Sequence, residues 1–270
     1  MPRTGERFDG IGKLPKETPP NRDISLTFLK GMSVLKAFDE DNSHMTLSEI
    51  GRRTGLDPAA ARRLLLTLVH LGYVRREGRV FSLTPRILVL AGSFLRGNQF
   101  GRVIQPLLNG AAAELGREVI LAMPEEGGAL MVAQSTLRNT GVTFGFTIGS
   151  RLPLFHTAMG RMLLAWGDPE AAEAEIATAE LEAYTAASVT ERDALRAAVA
   201  EAAAQGCAVV AGEFESGVTG VAVPVGRKGA VRAVLGVSDA EDVFAEESAL
   251  EASKVVLRRC ARDLMQAGVF

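Results

Sequence analysis

With 270 residues, 47% hydrophobic and 23% charged, the chain has the length of one large domain or two smaller ones and the balance of a soluble globular protein. It holds no run of about eighteen apolar residues that would span a membrane, and MPRTGERFDG lacks the apolar stretch of a secretion signal; a cytoplasmic protein with Cys207 and Cys260 as free, buried thiols is expected. The net charge of −2 hides an asymmetry: residues 1–102 hold 17 Lys+Arg against 10 Asp+Glu, and residues 103–270 hold 13 against 22, which places a polyanion partner at the N-terminal part only.

Residues 1–24, with four prolines and three glycines, cannot bury an apolar face and read as a disordered tail, or as an arm touching DNA. From Ile24 to Glu40, Leu26, Leu29, Met32, Val34, Leu35 and Phe38 recur at helical spacing, and Asp39 to Ser43 ends this supporting helix. Thr46-Leu-Ser-Glu49 has the form of a capping box, in which hydroxyl and carboxylate each accept from the other residue's amide. The short helix Leu47 to Thr54 buries Leu47 and Ile50 and ends at Gly55, and Leu56 plugs the core beyond it. Asp57 caps the next helix and Pro58 suits its first position, where no amide partner is lost.

That helix runs to about Leu71, with Ala61, Leu64, Leu65, Leu68 and Leu71 turned inward. Ala59, Ala60, Arg62, Arg63, Leu66, Thr67 and His70 remain for the outer face. Small residues at the helix start let its backbone approach a surface, and the adjacent arginines can reach base edges or phosphates. A solvated charged face is the simpler account of an isolated Arg pair; after a capped helix, a glycine turn and a second cap, a helix that reads double-stranded DNA is the better one. Gly72 to Leu83 alternates around Glu77-Gly78 as a hairpin, which makes a wing carrying Arg75, Arg76 and Arg79 to the phosphate backbone or minor groove. From Arg52 to Arg86 there are eight arginines and no lysine, the residue choice for bidentate phosphate and guanine contacts. Residues 25–84 are therefore expected to form a winged helix-turn-helix.

Thr84-Pro85 opens a further helix, Arg86 to about Arg96, which Gly97-Asn98-Gln99 breaks before Phe100 to Leu115 resumes the pattern; residues 85–101 read as a linker helix. In residues 102–270, Val119–Met123 and Ala129–Gln134 read as a hairpin, Val142–Ile148 as a strand and Gly149 to His156 as a loop. Thr157–Trp166, Pro169–Glu182 and Thr190–Gln205 read as helices. Ala208–Ala211, Val218–Val225 and Ala230–Ser238 read as strands, and Ala245 to Ala267 as a final helix. The fold class is α+β, a sheet covered by helices.

Catalytic signals are missing. His44, His70 and His156 are far apart, no His/Cys cluster has metal-ligand spacing, and no glycine-rich phosphate loop is present. Ser150, Ser216, Ser238 and Cys207 lack the context of a nucleophile elbow. No enzyme, metal or cofactor is expected.

TLSEIGRRTGLDPAAARRLLLTLVHLGYV, FSLTPRILVLAGSFL, GSRLPLFHTAMGRMLLA, GEFESGVTGVAVPV and VLGVS, in this order between about Leu26 and Met265, resemble the IclR family of bacterial transcriptional regulators. The AAARRLLLTL and LTPRIL stretches look most like its subgroup that controls catabolism of aromatic acids such as protocatechuate and p-hydroxybenzoate. The resemblance implies a winged helix-turn-helix, a linker helix and a GAF-like effector-binding domain, assembled as a homodimer or dimer of dimers on a palindromic operator. It implies a small organic acid bound between the sheet and His156-Thr157-Ala158-Met159-Gly160, where free amides and the helix dipole favour an anion. Phe146 and Phe155 would add an aromatic wall, and Val210, Gly220, Gly236 and Ser238 the sheet side. The chain departs from the family at Val210, Gly220 and Gly236, where an acidic residue, a Cys or Ser, and a Ser are common, and at His156, where Ala is common. Lost polar groups, added room and one imidazole suit a larger, flatter aromatic acid, unless these are packing changes only. Pro58 replaces a residue that is often polar, so one DNA contact is expected to be missing. The rival reading is a DNA-binding protein whose C-terminal domain only oligomerises.

Overall fold

A computed structural model describes residues 23–39, 41–125, 127–136 and 146–270, so the tail expected over residues 1–24 lies almost wholly outside the described residues. The chain divides into two compact units, 1–94 and 95–270.

In the first unit α1 (Leu26–Lys36), α2 (Leu47–Thr54) and α3 (Pro58–His70) pack around Val34, Ile50, Ala61, Leu65 and Leu68. β1 (His44–Thr46), β2 (Val74–Glu77) and β3 (Val80–Leu83) form a small antiparallel sheet in the order β1-β3-β2, whose Met45, Val74 and Phe81 close the same core. The local sequence chemistry is in place. Glu49 N–H donates to Thr46 Oγ1 (3.4 Å) and Thr46 N–H to Glu49 Oε2 (2.7 Å), completing the capping box. Those bonds hold the Glu49 carboxyl below its ordinary pKa, the Thr46 backbone amide being the main cause. Gly55 turns the chain at φ 70°, and Ala60 N–H donates to Asp57 Oδ1 at 2.9 Å. Leu71 departs from the expected buried face: it is the C-cap of α3, where the backbone leaves the helix, and it is 47% exposed.

α4 (Ile87–Gly97) carries the chain across the division, and none of its residues is fully buried. A π-helical turn (Phe100–Ile104) then leads into α5 (Gln105–Leu115). The second unit is built on a six-stranded antiparallel sheet in the order β6-β5-β4-β9-β8-β7: β4 (Ile120–Glu125), β5 (Gly128–Gln134), β6 (Arg151–Pro153), β7 (Ala208–Ala211), β8 (Val218–Arg227) and β9 (Ala230–Ala240). Strand alternation sorts its side chains between two cores. Leu121, Val221, Val223 and Leu235 meet α5 and α10 (Glu247–Gln266) through Leu108, Leu257 and Leu264. Ile120, Ala122, Met131 and Val234 on the opposite face meet α6 (Ala158–Trp166) and α8 (Arg192–Gln205), while α7 (Pro169–Thr178) lies between those helices in sequence.

Three expectations change. Residues 142–145 of the expected strand Val142–Ile148 lie outside the described residues, and Phe146 to Ile148 are not in a strand. The edge strand is instead β6, inside what read as a loop: Gly149 turns at φ 99°, and the Met131 amide donates to Ser150 O at 2.9 Å, which aligns Arg151–Pro153 with β5. The long final helix is preceded by a separate short one, α9 (Glu241–Ala245), with Glu246 extended between them. Cys207 and Cys260 are buried and unbonded to each other, and burial pushes the Cys260 thiol up to about 11. Among the described residues no helix is long and apolar enough to cross a membrane.

Candidate DNA-binding surface and effector cavity

The outer face of α3 exposes Ala59, Arg62, Arg63, Leu66, Thr67 and His70, with Ala60 half-buried behind them. Among the described residues the side chains of Arg62 and Arg63 make no hydrogen bond or ion pair, so both guanidinium groups can meet a ligand. Arg53 on α2 contrasts with them, since its guanidinium is spent on Asp39. The Thr67 hydroxyl donates back to Arg63 O at 3.0 Å. In the wing Arg75 donates from Nε to Ser82 Oγ at 2.9 Å, and Arg76 donates from Nε to Gly78 O at 2.8 Å while lying over the Phe81 ring. These bonds hold the two side chains along the hairpin, and Arg79 stands exposed beside its tip.

The second unit contains a cavity of about 80 Å³ between the sheet and the start of α6. A water needs about 10–15 Å³ on this scale, so the space holds roughly five to eight water-sized groups, enough for a single-ring acid whose bonded atoms pack closer than waters do. Phe146, His156, Thr157, Ala158, Met159, Val210, Gly220 and Ser238, all placed there from sequence, line it. Phe155, Gly160 and Gly236 do not. Phe155 instead offers its carbonyl to Arg161 at 2.9 Å. Gly160 lies where the backbone of Pro153 and Leu154 crosses the helix and leaves no space for a Cβ. A Cβ on Gly236 would meet the Met159 side chain. The room expected from missing side chains is thus already taken, by Met159 at Gly236 and by Ala158, whose Cβ would lie 3.3 Å from one on Gly220.

Thr157 caps α6. Its Oγ accepts from Gly160 N–H at 3.1 Å and donates to Pro153 O at 2.7 Å, so the hydroxyl is spent, while the Ala158 and Met159 amides occupy the positions a helix leaves unpaired. Phe146, Phe214, Tyr184 and His156 make a chain of rings: centroids are 5.8 Å apart for Phe146 and Phe214, 5.0 Å for Phe214 and Tyr184, and 5.2 Å, edge-on, for Tyr184 and His156. His156 is buried, and its Nε2 has no hydrogen-bond partner among the described residues. Burial pushes its pKa below the ordinary histidine value, with Arg161 adding to the effect and Glu213 opposing it. Arg161 and Glu213 form a buried bidentate ion pair, Nη1 to Oε1 at 2.8 Å and Nη2 to Oε2 at 2.7 Å.

The profile of the bacterial transcriptional regulator IclR C-terminal region matches residues 94–266, and that of the IclR helix-turn-helix domain matches residues 28–78. The chain belongs to the IclR family of bacterial transcriptional regulators. It is similar to the Pca regulon regulatory protein of Pseudomonas putida, 34% identical over 217 residues that cover 80% of this chain and 75% of the relative. It is similar to the p-hydroxybenzoate hydroxylase transcriptional activator of Acinetobacter baylyi, 30% identical over 200 residues that cover 73% and 74% of the two chains. Among solved structures, an IclR homologue of Microbacterium hydrocarbonoxydans complexed with 4-hydroxybenzoate superposes with a TM-score of 0.74 at 27% identity, covering 89% of this chain and 99% of that one. The aromatic-catabolism subgroup and the fold class, a winged helix-turn-helix followed by a curled-sheet domain, both stand as expected. As an IclR regulator the chain has DNA as a partner.

Sequence reasoning missed half of the IclR cavity's rim. Glu213, Phe214, Glu215 and Val218 line it, together with Ile120, Leu152, Val221 and Val237. The first four lie in the GEFESGV stretch, which carried the family resemblance. No local rule marks Glu213 as the partner of an arginine 52 residues away.

Proposed function

We propose that this IclR protein is a ligand-responsive regulator working in the cytoplasm, a homodimer or dimer of dimers that binds a palindromic operator and releases or remodels it when a small aromatic carboxylic acid enters the cavity. The observation that carries the effector class is a ring-lined, largely apolar space ending at the N-terminus of α6, where unpaired amides and the dipole favour an anion. The names of the Pseudomonas and Acinetobacter relatives and the 4-hydroxybenzoate bound to the Microbacterium homologue agree with an acid of this shape. A domain that serves only to oligomerise would fill such a space with side chains. Residues 25–84 act as the reading domain, 85–101 as the linker and 102–270 as the sensor. Ala59, Ala60, Arg62, Arg63 and Thr67 face the major groove, and Arg75, Arg76 and Arg79 the backbone. The dimer reading draws support from exposed apolar side chains on α1 and α4, with Phe28 71% and Leu88 67% exposed. Effector binding acts through unequal affinity for the DNA-competent and incompetent states.

Two results test this reading. The full-length protein with 4-hydroxybenzoate at a hundred times its dissociation constant gains about 2.7 kcal/mol, read as a raised thermal midpoint. A midpoint raised by short keto acids and unmoved by aromatic acids would sink the effector class. Arg63→Ala weakens operator binding by about 1–3 kcal/mol and relaxes sequence preference at one position; unchanged affinity and preference in a mobility-shift titration would remove α3 from the groove.

A further inference from the structure

An acid anion that leaves water for this cavity has to find positive charge, and the fixed charges around it leave none to spare. Arg161 is the cation beside the cavity. Its two terminal nitrogens are committed to Glu213, one of them also to Phe155 O. Glu215 adds a negative charge at the exposed rim. No lysine lines the cavity among the described residues. The start of α6 supplies amides and about half an elementary charge. That leaves the residue immediately before its cap. His156 is 3% exposed, lines the cavity, and has an Nε2 without a partner among the described residues. Such an orphaned polar atom is uncommon in a folded interior, and this one belongs to a residue that lines the cavity.

We infer that the cavity takes its acid as an anion together with one proton, which passes from solvent to His156 as the carboxylate docks and leaves Nε2 donating a charged hydrogen bond to it. This rests on the reading above that the effector is an aromatic carboxylic acid. The groups that face His156 are Tyr184, through its ring edge, and the Arg161–Glu213 pair, whose opposite charges largely cancel. Burial disfavours the charged imidazole, lowering its pKa below the ordinary histidine value. A carboxylate within hydrogen-bond reach reverses the balance, because an opposite charge at about 4–6 Å or less favours the protonated form in a site where water does not screen it. The proton is gained from the buffer; no bond in the ligand forms or breaks. Affinity therefore rises as pH falls through the window between the free and the liganded imidazole pKa, and flattens outside it.

The test is calorimetric titration of the full-length protein with 4-hydroxybenzoate near pH 7, in phosphate and in Tris, whose ionisation enthalpies differ. The expected result is uptake of close to one proton per ligand and a dissociation constant that rises by about tenfold per pH unit within the window. His156→Asn and His156→Gln bind with no uptake and a flat pH profile, and 4-hydroxybenzamide binds the unaltered protein without uptake. Binding of the acid with no uptake overturns the inference alone. Uptake undiminished in both variants also overturns it, because the proton then resides on the ligand or on another group. Failure of every aromatic acid to bind overturns both this inference and the effector reading beneath it.

Discussion

Glu213→Ala is expected to lower the stability of the C-terminal unit by about 3–5 kcal/mol, the cost of leaving one member of a buried ion pair without its partner. The side chains of Arg161 and Glu213 are only 5% and 9% exposed, so solvent does little to screen the charge left behind. Arg161 is itself buried on α6, and its Nε has no partner among the described residues. The substitution also removes the carboxylate that faces the Val189 amide, although the Glu213 carbonyl, which accepts from Ser188 Oγ at 2.6 Å, stays. For a unit of this size a kilocalorie moves the midpoint by about 2–4 °C, so a fall on the order of 10 °C should appear in a thermal scan. The paired change Arg161→Met with Glu213→Leu recovers most of the loss, because apolar residues of similar volume replace a buried pair at little cost. A loss below about 1 kcal/mol for the single change, or a double change no better than the single, would show that the pair is not buried in solution. The contrast matters for function too. With the pair intact the cavity's neighbourhood is close to neutral, and with Arg161 lost and Glu213 kept an entering carboxylate would meet a bare negative charge.

What could be read from the sequence divides along the same line between local and distant partners. The reading domain was legible because its signals are complete within a few residues: Thr46 and Glu49 cap each other, Asp57 caps three residues ahead, and Leu65 and Leu68 keep one helical face. The antiparallel hairpin of β2 and β3 was legible for the same reason. In the second unit the elements were mostly visible, but β6 was not, because a three-residue edge strand is defined by the neighbour it pairs with, here β5. The start of α6 was singled out through the family resemblance, with its free amides and dipole as the physical reason. Glu213 and Phe214 were not, since their meaning comes from Arg161 and from a stack of rings contributed by separate loops. The glycines misled in an instructive way. Gly220 and Gly236 read as vacated space around a ligand, yet a missing side chain is room only if nothing else moves in, and at native packing density something does.

Gly160 gives the sharpest case, and a test that sets two effects against each other. Gly160→Ala should stabilise α6 by about 1 kcal/mol if helix propensity decided the outcome, because alanine is the better helix former. It should instead cost about 3 kcal/mol, since the new Cβ would run into Leu154 and Pro153 backbone, and overpacking against main chain has no flexible side chain to absorb it. Gly110→Ala in α5 is the control: that position is exposed, a Cβ there meets nothing within 4 Å, and the same substitution should gain roughly 0.5–1 kcal/mol. Denaturant unfolding of the two variants separates the explanations, and similar gains for both would mean that the approach of β6 to α6 is looser than described. The close approach also fixes where the start of α6 lies. The backbone of Pro153 and Leu154 runs tightly against Gly160 and on into Phe155 and His156, so a Cβ there would push α6 and the chain that carries the imidazole apart. Gly160 does not line the cavity, yet its alanine variant is expected to lose affinity for an aromatic acid along with stability, because the crossing it permits sits beside the helix start proposed to hold the carboxylate.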